Sequence, residues 1–455
     1  MRTSDTIVAL STPPGRSGIG VIRLSGPEAL DHTRVLLRKP EFSPESHRAS
    51  LKTLHDPERG EAIDQALVTY FKSPNSFTGE DVVELSCHGS PVLLLNVIDV
   101  LLSLGARAAD AGEFTLRALS NGRLNLTEAE AIRDLIDAQT HAAARQAARQ
   151  LGGELSAQLQ PFKNLLLEII VPLESALEFV EDDLPDVALT KLRLQLEDLI
   201  QSLESLAHTF GTGRLLKDGL KVTLVGRPNV GKSSVFNSLL VQDRAIVTAL
   251  PGTTRDSLSE VLNIEGVPVL LTDTAGIRTA EDPIERLGIE RTRQAIADSD
   301  IVVAVIDGSL PLTEQDDSLL AELPEGNYVI ALNKSDLEYF DHTKLYEVCQ
   351  RAEPVRISAK TGHGLNILRH AILAPFERGQ RSDSNFLITN ARHFDLLRRA
   401  ANSLRNSQTV IDEGATDDLI LVGLYDSLRF LDEITGETTP EDVLSQIFAT
   451  FCIGK

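Results

Sequence analysis

The chain has 455 residues, a formal net charge of −22 and three cysteines, Cys87, Cys349 and Cys452. Its length exceeds what one hydrophobic core organises, so two or three domains are expected. Three scattered cysteines exclude a disulfide framework or zinc site, and the acidic balance argues against unaided nonspecific nucleic-acid binding, which needs clustered Lys and Arg. If RNA is a substrate, a basic partner or a local patch must hold it. A reducing, cytoplasmic setting is expected. Asp5 interrupts the start where a signal peptide would need an apolar run, and no run is long enough to span a bilayer.

Residues 1 to about 118 alternate strand-like segments (Thr6–Leu10, Val21–Leu24, Val82–Cys87) with a helical one, Val92–Leu104. Turn signals at Thr12-Pro-Pro-Gly15 and Ser73-Pro-Asn75 punctuate them, predicting an α+β module. From Thr127 the pattern is helical. Thr127 and Glu130 have capping-box spacing, and Ile132, Leu135, Ile136 and Gln139 continue one face. Helices are predicted over the Ala-rich His141–Gln150, over Leu155–Phe179 and over Ala188–Phe210. The acidic turn Glu181-Asp-Asp-Leu-Pro185 reads as a solvated junction.

Within Leu220–Phe376 lie four nucleotide signals. The apolar run Val222-Thr-Leu-Val leads into Gly226-Arg-Pro-Asn-Val-Gly-Lys-Ser233, a phosphate loop. Backbone N–H groups of Asn229, Val230, Gly231 and Lys232 can turn inward around phosphates, Lys232 adds a point charge, and Ser233 can hold Mg²⁺. Ser234–Leu240 reads as the helix whose N-terminus faces the anion. Asp273, with Thr274, Ala275 and Gly276, ends the run Val269–Thr272 and can reach the metal through water, while the Gly276 N–H approaches the γ-phosphate. Asn333, Lys334, Ser335 and Asp336 then select guanine. One carboxylate, Asp336, can accept both N1–H and N2–H of that base, and Asn333 can reach its acceptor edge. Ser358, Ala359 and Lys360 complete the order of a GTPase. After this segment, helices are predicted over Arg392–Ile411, Asp417–Leu431 and Pro440–Phe448. Helices on both sides of an α/β unit predict an insertion: residues 119–213 and 380–455 form one helical domain, interrupted by a G domain over 214–379.

Two positions depart from the commonest small-GTPase pattern. Ile277 stands after Gly276, where many GTPases place a water-orienting Gln, so another group must position the nucleophile. Glu285 is the candidate, with a solvated helix-start carboxylate as the alternative. Asn229, inside the loop, either binds a monovalent cation against the phosphates or is a turn residue chosen for its backbone. Thr253 and Thr254 suit a switch loop closing over the metal.

With these residues in place, the chain resembles the MnmE (TrmE) family of tRNA-modification GTPases. The likeness runs nearly full length, through Asp5-Thr-Ile-Val-Ala9, Asn75-Ser-Phe-Thr-Gly-Glu-Asp81, Gly112-Glu-Phe114, Glu128-Ala-Glu-Ala-Ile132 with Asp134-Leu-Ile-Asp-Ala138, the G motifs, Glu285-Arg-Leu-Gly-Ile-Glu290 and Phe451-Cys-Ile-Gly-Lys455. The resemblance implies a folate-binding, dimerising α+β domain over 1–118, a discontinuous helical domain and a Ras-like G domain. It implies a homodimer, activated by paired G domains in potassium, working with an FAD-dependent partner (GidA/MnmG) as a heterotetramer. Together they would add an aminomethyl or carboxymethylaminomethyl group to C5 of the wobble uridine of certain tRNAs, with 5-formyl- or methylene-tetrahydrofolate as the one-carbon carrier.

By the same likeness, Asn229, Thr248, Leu250 and Thr253 match potassium ligands, and Ser233 and Thr254 match Mg²⁺ ligands. Ala249, Pro251 and Gly252 lie in the same nucleotide-contacting loop. Glu285 matches the water-activating glutamate. Arg23, Glu84, Arg123 and Lys455 match folate contacts, although Arg123 stands where other members can carry Lys. Cys452 matches the family's cysteine near the end of the chain. Lys455 can lower its pKa, and it is either a nucleophile or a residue lining the pterin. His88, near Glu84, reads as a core or loop histidine. A ribosome-assembly GTPase would share the G motifs but should carry a basic RNA-binding appendage. A dimerisation-controlled switch without modification chemistry would not bind folate.

Overall fold

A computed structural model of the protein describes residues 5–178, 186–243, 258–273, 294, 296–323, 327–338, 353–377, 386–414, 417–438, 444 and 447–454. The chain divides into two compact units. One contains Met1–Arg133, Gln150–Leu159 and Leu431–Lys455, the other Asp134–Arg149 and Gln160–Phe430.

The first unit is built on strands β1 (Ile7–Leu10), β2 (Ser17–Ser25), β3 (Ala49–His55), β4 (Ala62–Phe71), β5 (Val82–Gly89) and β6 (Arg107–Ala108), in the order β3-β4-β5-β2-β1-β6. All neighbours are antiparallel except β1 with β6. Period-two alternation decides which side chains are covered. Ile22 and Leu24 of β2, Val68 of β4 and Leu85 of β5 are buried with Leu94, Val97 and Leu101 of helix α2 (Pro91–Ser103), while α1 (Ala29–Leu36) adds Ala29 and Leu36. Each of the Val, Leu and Ile side chains among them contributes about 1.5–3 kcal/mol by leaving water. The other face carries Arg23, paired in register with Glu84, and a cross-strand file of Leu51, Leu67, Ser86 and Val21. Leu51 and Leu67 are exposed, as is Ile19 on the same strand as Val21.

Helices α3 (Glu113–Ser120) and α4 (Leu126–Asp137) follow. The capping box of α4 is Asn125 with Glu128, two residues before the expected pair. Asn125 Oδ1 accepts from the Glu128 N–H, and Glu128 Oε2 accepts from the Asn125 N–H. Thr127 instead lies inside the first turn and donates to Asn125 Oδ1. An Asn two residues earlier satisfies the same orphan donors and lengthens the helix.

Helices α5 (His141–Leu151), α6 (Glu154–Glu178) and α7 (Asp186–His208) agree with the expected segments within a few residues. The turn at 181–185 lies outside the described residues. The helix expected to end at Phe210 in fact breaks at Thr209 and restarts as α8 (Phe210–Asp218), despite Gly211 and Gly213. The glycine at 213 is required there, because an added Cβ would overlap the backbone of Ile388. Thr209 Oγ1 accepts from the Ile388 N–H, and Phe210 stacks on Phe394 at 4.6 Å. Helix α7 is tied to the helix Ala391–Asp412 through Arg193–Asp412 at 2.9 Å and Gln408–Glu197 at 3.2 Å. That helix packs on Asp417–Thr435, where Ser407 donates to Ile420 O. Most of the segment expected to be helical over 440–448 lies outside the described residues.

The second unit's sheet contains β7 (Leu220–Val225), β8 (Leu258–Ile264), β9 (Val267–Asp273), β10 (Ile301–Asp307), β11 (Tyr328–Asn333) and β12 (Val355–Arg356), in the order β12-β11-β10-β7-β9-β8. Only the β8–β9 pair is antiparallel. Every residue of β10 is buried, the continuous apolar run that a strand covered on both faces requires. Chain order reverses on either side of β7, with β9 on one flank and β10 on the other. The crevice beyond the C-terminal end of β7 is therefore a topological switch point, where open α/β sheets bind ligands.

Candidate functional site

The phosphate loop occupies that crevice. It joins β7 to helix α9 (Lys232–Asp243), so the helix's unpaired N–H groups open onto it. Asn229 takes the left-handed conformation, φ 64°, which asparagine tolerates better than other side-chain-bearing residues, and it is exposed. Gly231 has φ 97°, and a Cβ there would overlap the Asn333 amide nitrogen. Lys232 is 7% exposed, and its ammonium donates to the Gly226 carbonyl at 2.8 Å and the Arg227 carbonyl at 3.0 Å. The cation is thus held across the mouth of the loop by the loop's own backbone. Ser233 Oγ donates to Asp273 Oδ2 at 2.8 Å, and Asp273 is 1% exposed. Two hard oxygen donors, one of them a buried carboxylate, converge at the place where the helix N-terminus meets the end of β9. This donor set suits Mg²⁺.

The residues expected to read the base cluster on the ends of β10, β11 and β12. Asn333 Nδ2 donates to the Val230 carbonyl at 2.9 Å, and its Oδ1 accepts from the Ala359 N–H at 3.0 Å. One side chain therefore ties the phosphate loop to the Ser358–Lys360 loop, leaving its second N–H for the acceptor edge of a base. Asp336 is exposed and accepts from the Ser358 hydroxyl at 2.7 Å; that bond foremost, with Lys360 nearby, holds its carboxyl below the usual range. Ser358 is itself buried, anchored by its N–H to the His363 carbonyl. Lys334, at φ 66°, donates to Asp307 Oδ2 at 2.6 Å. Burial pushes the Asp307 carboxyl up, and Lys334 with the Ser309 hydroxyl and N–H bring it below the ordinary value.

The structure thus brings Asn229, Val230, Gly231, Lys232, Ser233, Ser234, Asp273, Asn333, Lys334, Ser335, Asp336, Ser358, Ala359 and Lys360 to one end of the sheet. Thr248, Ala249, Leu250, Pro251, Gly252, Thr253, Thr254, Thr274, Ala275, Gly276 and Glu285 lie outside the described residues.

The first unit holds a second polar cluster. Arg23 donates to Glu84 Oε1 from Nε at 2.9 Å and from Nη2 at 2.7 Å, and reaches the Gly454 carbonyl at 3.4 Å. Its guanidinium lies 5.6 Å from the Phe77 ring centre and 5.7 Å from that of Phe114. The segment 451–454 is pinned beside it. Phe451 is buried with Leu126, Ala129 and Phe448, Gly112 N–H reaches the Cys452 carbonyl at 3.4 Å, and Ser11 Oγ donates to Gly454 O at 3.2 Å. The Cys452 side chain is exposed. Arg123 is exposed, and a Cβ on Gly79, in the loop carrying Phe77, would press on its aliphatic stem. Lys455 lies outside the described residues.

One reading of an individual residue is corrected. His88 is neither in the core nor in a loop: it is exposed near the end of β5 and pairs with Asp64 at 2.7 Å. Alternation explains this, because Cys87 takes the inward position, where burial foremost and Asp64 second push its thiol up to about 12 and keep it unreactive. Sequence reasoning also missed a charge network in the same unit. Buried Arg117 contacts Asp5, Glu80 and Glu113, and Arg107 contacts Asp5 and Glu113. The spacing Glu113–Arg117, i to i+4 on a short helix, was the one available signal.

The family model described as the GTP-binding protein TrmE N-terminus matches residues 6–123, and the MnmE helical domain model matches residues 126–452. The tRNA modification GTPase MnmE of Koribacter versatilis is 44% identical over 461 residues, covering 100% of both chains. Its Aquifex aeolicus namesake is 40% identical, covering 99% of this chain and 100% of its own. Among solved structures, the G domain of the T. maritima FeoB iron transporter aligns with 34% of this chain and 98% of that chain at 29% identity, with a TM-score of 0.27. Matched along essentially its whole length by full-length relatives and by both family models, the chain belongs to the MnmE (TrmE) family of tRNA-modification GTPases.

Proposed function

We propose that this GTPase is potassium-dependent, is activated by pairing of its G domains, and works with an FAD-dependent partner at C5 of the wobble uridine of certain tRNAs, using a tetrahydrofolate one-carbon unit. The observation that carries the hydrolytic part is the 2.8 Å contact between Ser233 and Asp273 at the mouth of a phosphate loop whose base-reading carboxylate, Asp336, is exposed. Ser233 and Asp273 would hold Mg²⁺, directly and through water, with Thr254 as a further ligand. The metal would screen the charge on the β- and γ-phosphates, while Lys232 and the loop N–H groups cradle them. Asn229, with Thr248, Leu250 and Thr253, would hold K⁺, the counter-charge that an arginine supplies elsewhere, and Glu285 would orient the attacking water.

The Arg23–Glu84 pair, the aromatic walls Phe77 and Phe114 and the pinned tail support a folate site. A carboxylate can accept the paired N–H groups of a pterin, and cations suit the carboxylates of its glutamate. Arg123 and Lys455 would serve the latter, and Cys452 would line the site or act in it. Exposed Ile19, Leu51 and Leu67 on the same sheet face support a homodimer through this unit. The division into residues 1–118, 119–213 with 380–455, and 214–379 belongs to the same reading, as does a cytoplasmic location. Among the described residues no helix is long and apolar enough to cross a membrane.

The test is GTP turnover in K⁺ against Na⁺, for wild type and Glu285→Ala, beside wobble-uridine analysis of tRNA from cells lacking the chain. Strong slowing in Na⁺, and loss of turnover with nucleotide affinity kept in Glu285→Ala, are expected. An indifferent rate in Na⁺ sinks the potassium role, and unchanged wobble uridine sinks the tRNA reading.

A further inference from the structure

The phosphate loop has a lateral anchor that no nucleotide motif accounts for. Arg227, its second residue, places Nε 3.1 Å from Oδ2 of Asp316, a residue only 1% exposed. Asp316 sits in the first turn of the helix Glu314–Ala321. The same Oδ2 accepts from the Thr313 N–H at 3.0 Å and the Thr313 hydroxyl at 2.8 Å, which completes the capping box of that helix. The other oxygen, Oδ1, is buried with no hydrogen-bond partner, and Arg227 Nε has none either, so the two residues meet as an ion pair rather than through a hydrogen bond. A carboxylate so enclosed depends heavily on the cation that faces it, and removing one member of such a pair is far more damaging than losing a surface bridge. On its other side, Arg227 presents its own carbonyl to the Lys232 ammonium. Any displacement of this residue therefore moves one of the two carbonyls that hold the phosphate-binding lysine.

We infer that the Arg227–Asp316 pair is a positioning device for the phosphate loop. It clamps the peptide at 227 to a rigid helix end, keeps Lys232 and the inward N–H groups set for the β- and γ-phosphates, and so governs how fast nucleotide leaves. Neither residue touches the nucleotide in this role; both act through the loop backbone. The inference rests on the GTPase reading and goes beyond it. A purely structural pair, stapling the helix to the sheet, would lower thermal stability and leave nucleotide kinetics alone.

The experiment uses the full-length protein, with stopped-flow release of a fluorescent GDP, KM and kcat for GTP, and thermal melting without nucleotide. Asp316→Asn retains an oxygen for the Thr313 cap and removes only the charge; Arg227→Ala removes the partner; Arg227→Lys keeps the charge on a differently shaped head group. In Asp316→Asn and Arg227→Ala, GDP should leave about tenfold faster or more, with KM for GTP rising in parallel and kcat falling less, a change equivalent to about 1.4 kcal/mol of binding. Arg227→Lys should fall between these and wild type. The double variant should release GDP no faster than Arg227→Ala alone, because each change breaks the same pair. Release rates within about twofold of wild type in both single variants, or fully additive effects in the double, overturn the inference whatever the melting temperature does. If Arg227→Ala does not fold, Asp316→Asn and Arg227→Lys decide on the same criteria. Wild-type protein that neither binds GDP nor hydrolyses GTP would overturn the GTPase reading itself; wild-type turnover with unaltered variants overturns only this inference.

Discussion

Replacing Gly231 by Ala perturbs both halves of the nucleotide site at once. At φ 97° an alanine would occupy backbone space that side-chain-bearing residues rarely adopt, a strain of about 1–3 kcal/mol. Its methyl would also overlap Asn333 Nδ2. A side-chain amide can usually move aside cheaply. Here it cannot do so without giving up its bonds to the Val230 carbonyl and the Ala359 N–H, each worth about 0.5–1.5 kcal/mol net. Taken together, about 3 kcal/mol of the organisation of the site is lost, which corresponds to roughly a hundredfold in nucleotide affinity. Equilibrium titration with fluorescent GDP measures this, with thermal melting alongside to register any loss of fold. Asn333→Ala in the same background should be less than additive, because the overlap disappears with the amide. A dissociation constant within about threefold of wild type, or full additivity of the two changes, would refute the bridging role of Asn333.

Asp336→Asn should weaken guanine binding and relax base choice, because the paired N–H donors of the base lose their carboxylate; selectivity of about 10⁴ is at stake by analogy with other hydrogen-bond-reading sites. Calorimetric titration with GDP and ADP decides this, and undiminished preference for GDP would remove Asp336 from base reading. Glu84→Gln should free Arg23 of its charge partner and weaken binding of 5-formyl-tetrahydrofolate at least tenfold by isothermal titration, about 1.4 kcal/mol; unchanged affinity would place folate elsewhere. The first unit should also be acid-sensitive. Burial alone pushes the Glu113 carboxyl up, but Arg107, the Asp110 N–H and Arg117 together hold it below its ordinary value. A carboxylate lowered in the folded state adds stability above its unfolded pKa of about 4.3 and loses it as pH falls below that value. Melting followed from pH 6 to 3 should therefore fall less steeply in Glu113→Gln than in wild type; parallel curves would show that the network does not contribute.

Short-range features were readable wherever one side chain or one period decides them. The phosphate loop lies where its glycines and lysine put it, whereas His88, read as a core or loop histidine, goes outward because strict alternation along β5 gives the inward position to Cys87. The helix start near residue 126 was legible in kind but misassigned by two residues, since Asn125–Glu128 and Thr127–Glu130 have the same spacing and only the backbone shows which pair bonds. The helix Phe210–Asp218 was not legible, because two glycines in nine residues argue against a helix; Gly213 is tolerated for the close approach of residue 388, far away in sequence.

What the sequence determined alone was side-chain type at fixed spacing: the loop pattern Gly226–Ser233, an aspartate ending an apolar run, and the Asn333–Asp336 and Ser358–Lys360 runs from which a GTPase was expected. What only the tertiary structure decided was which of these groups hold one another. Asn333 joins two loops, Lys232 lies across the carbonyls of its own loop, Asp316 anchors Arg227, and Gly454 meets Arg23 across 431 residues of chain. Such contacts depend on the register of a sheet and the packing of helix ends. Both arise from the burial of many apolar side chains together, and no local pattern encodes them.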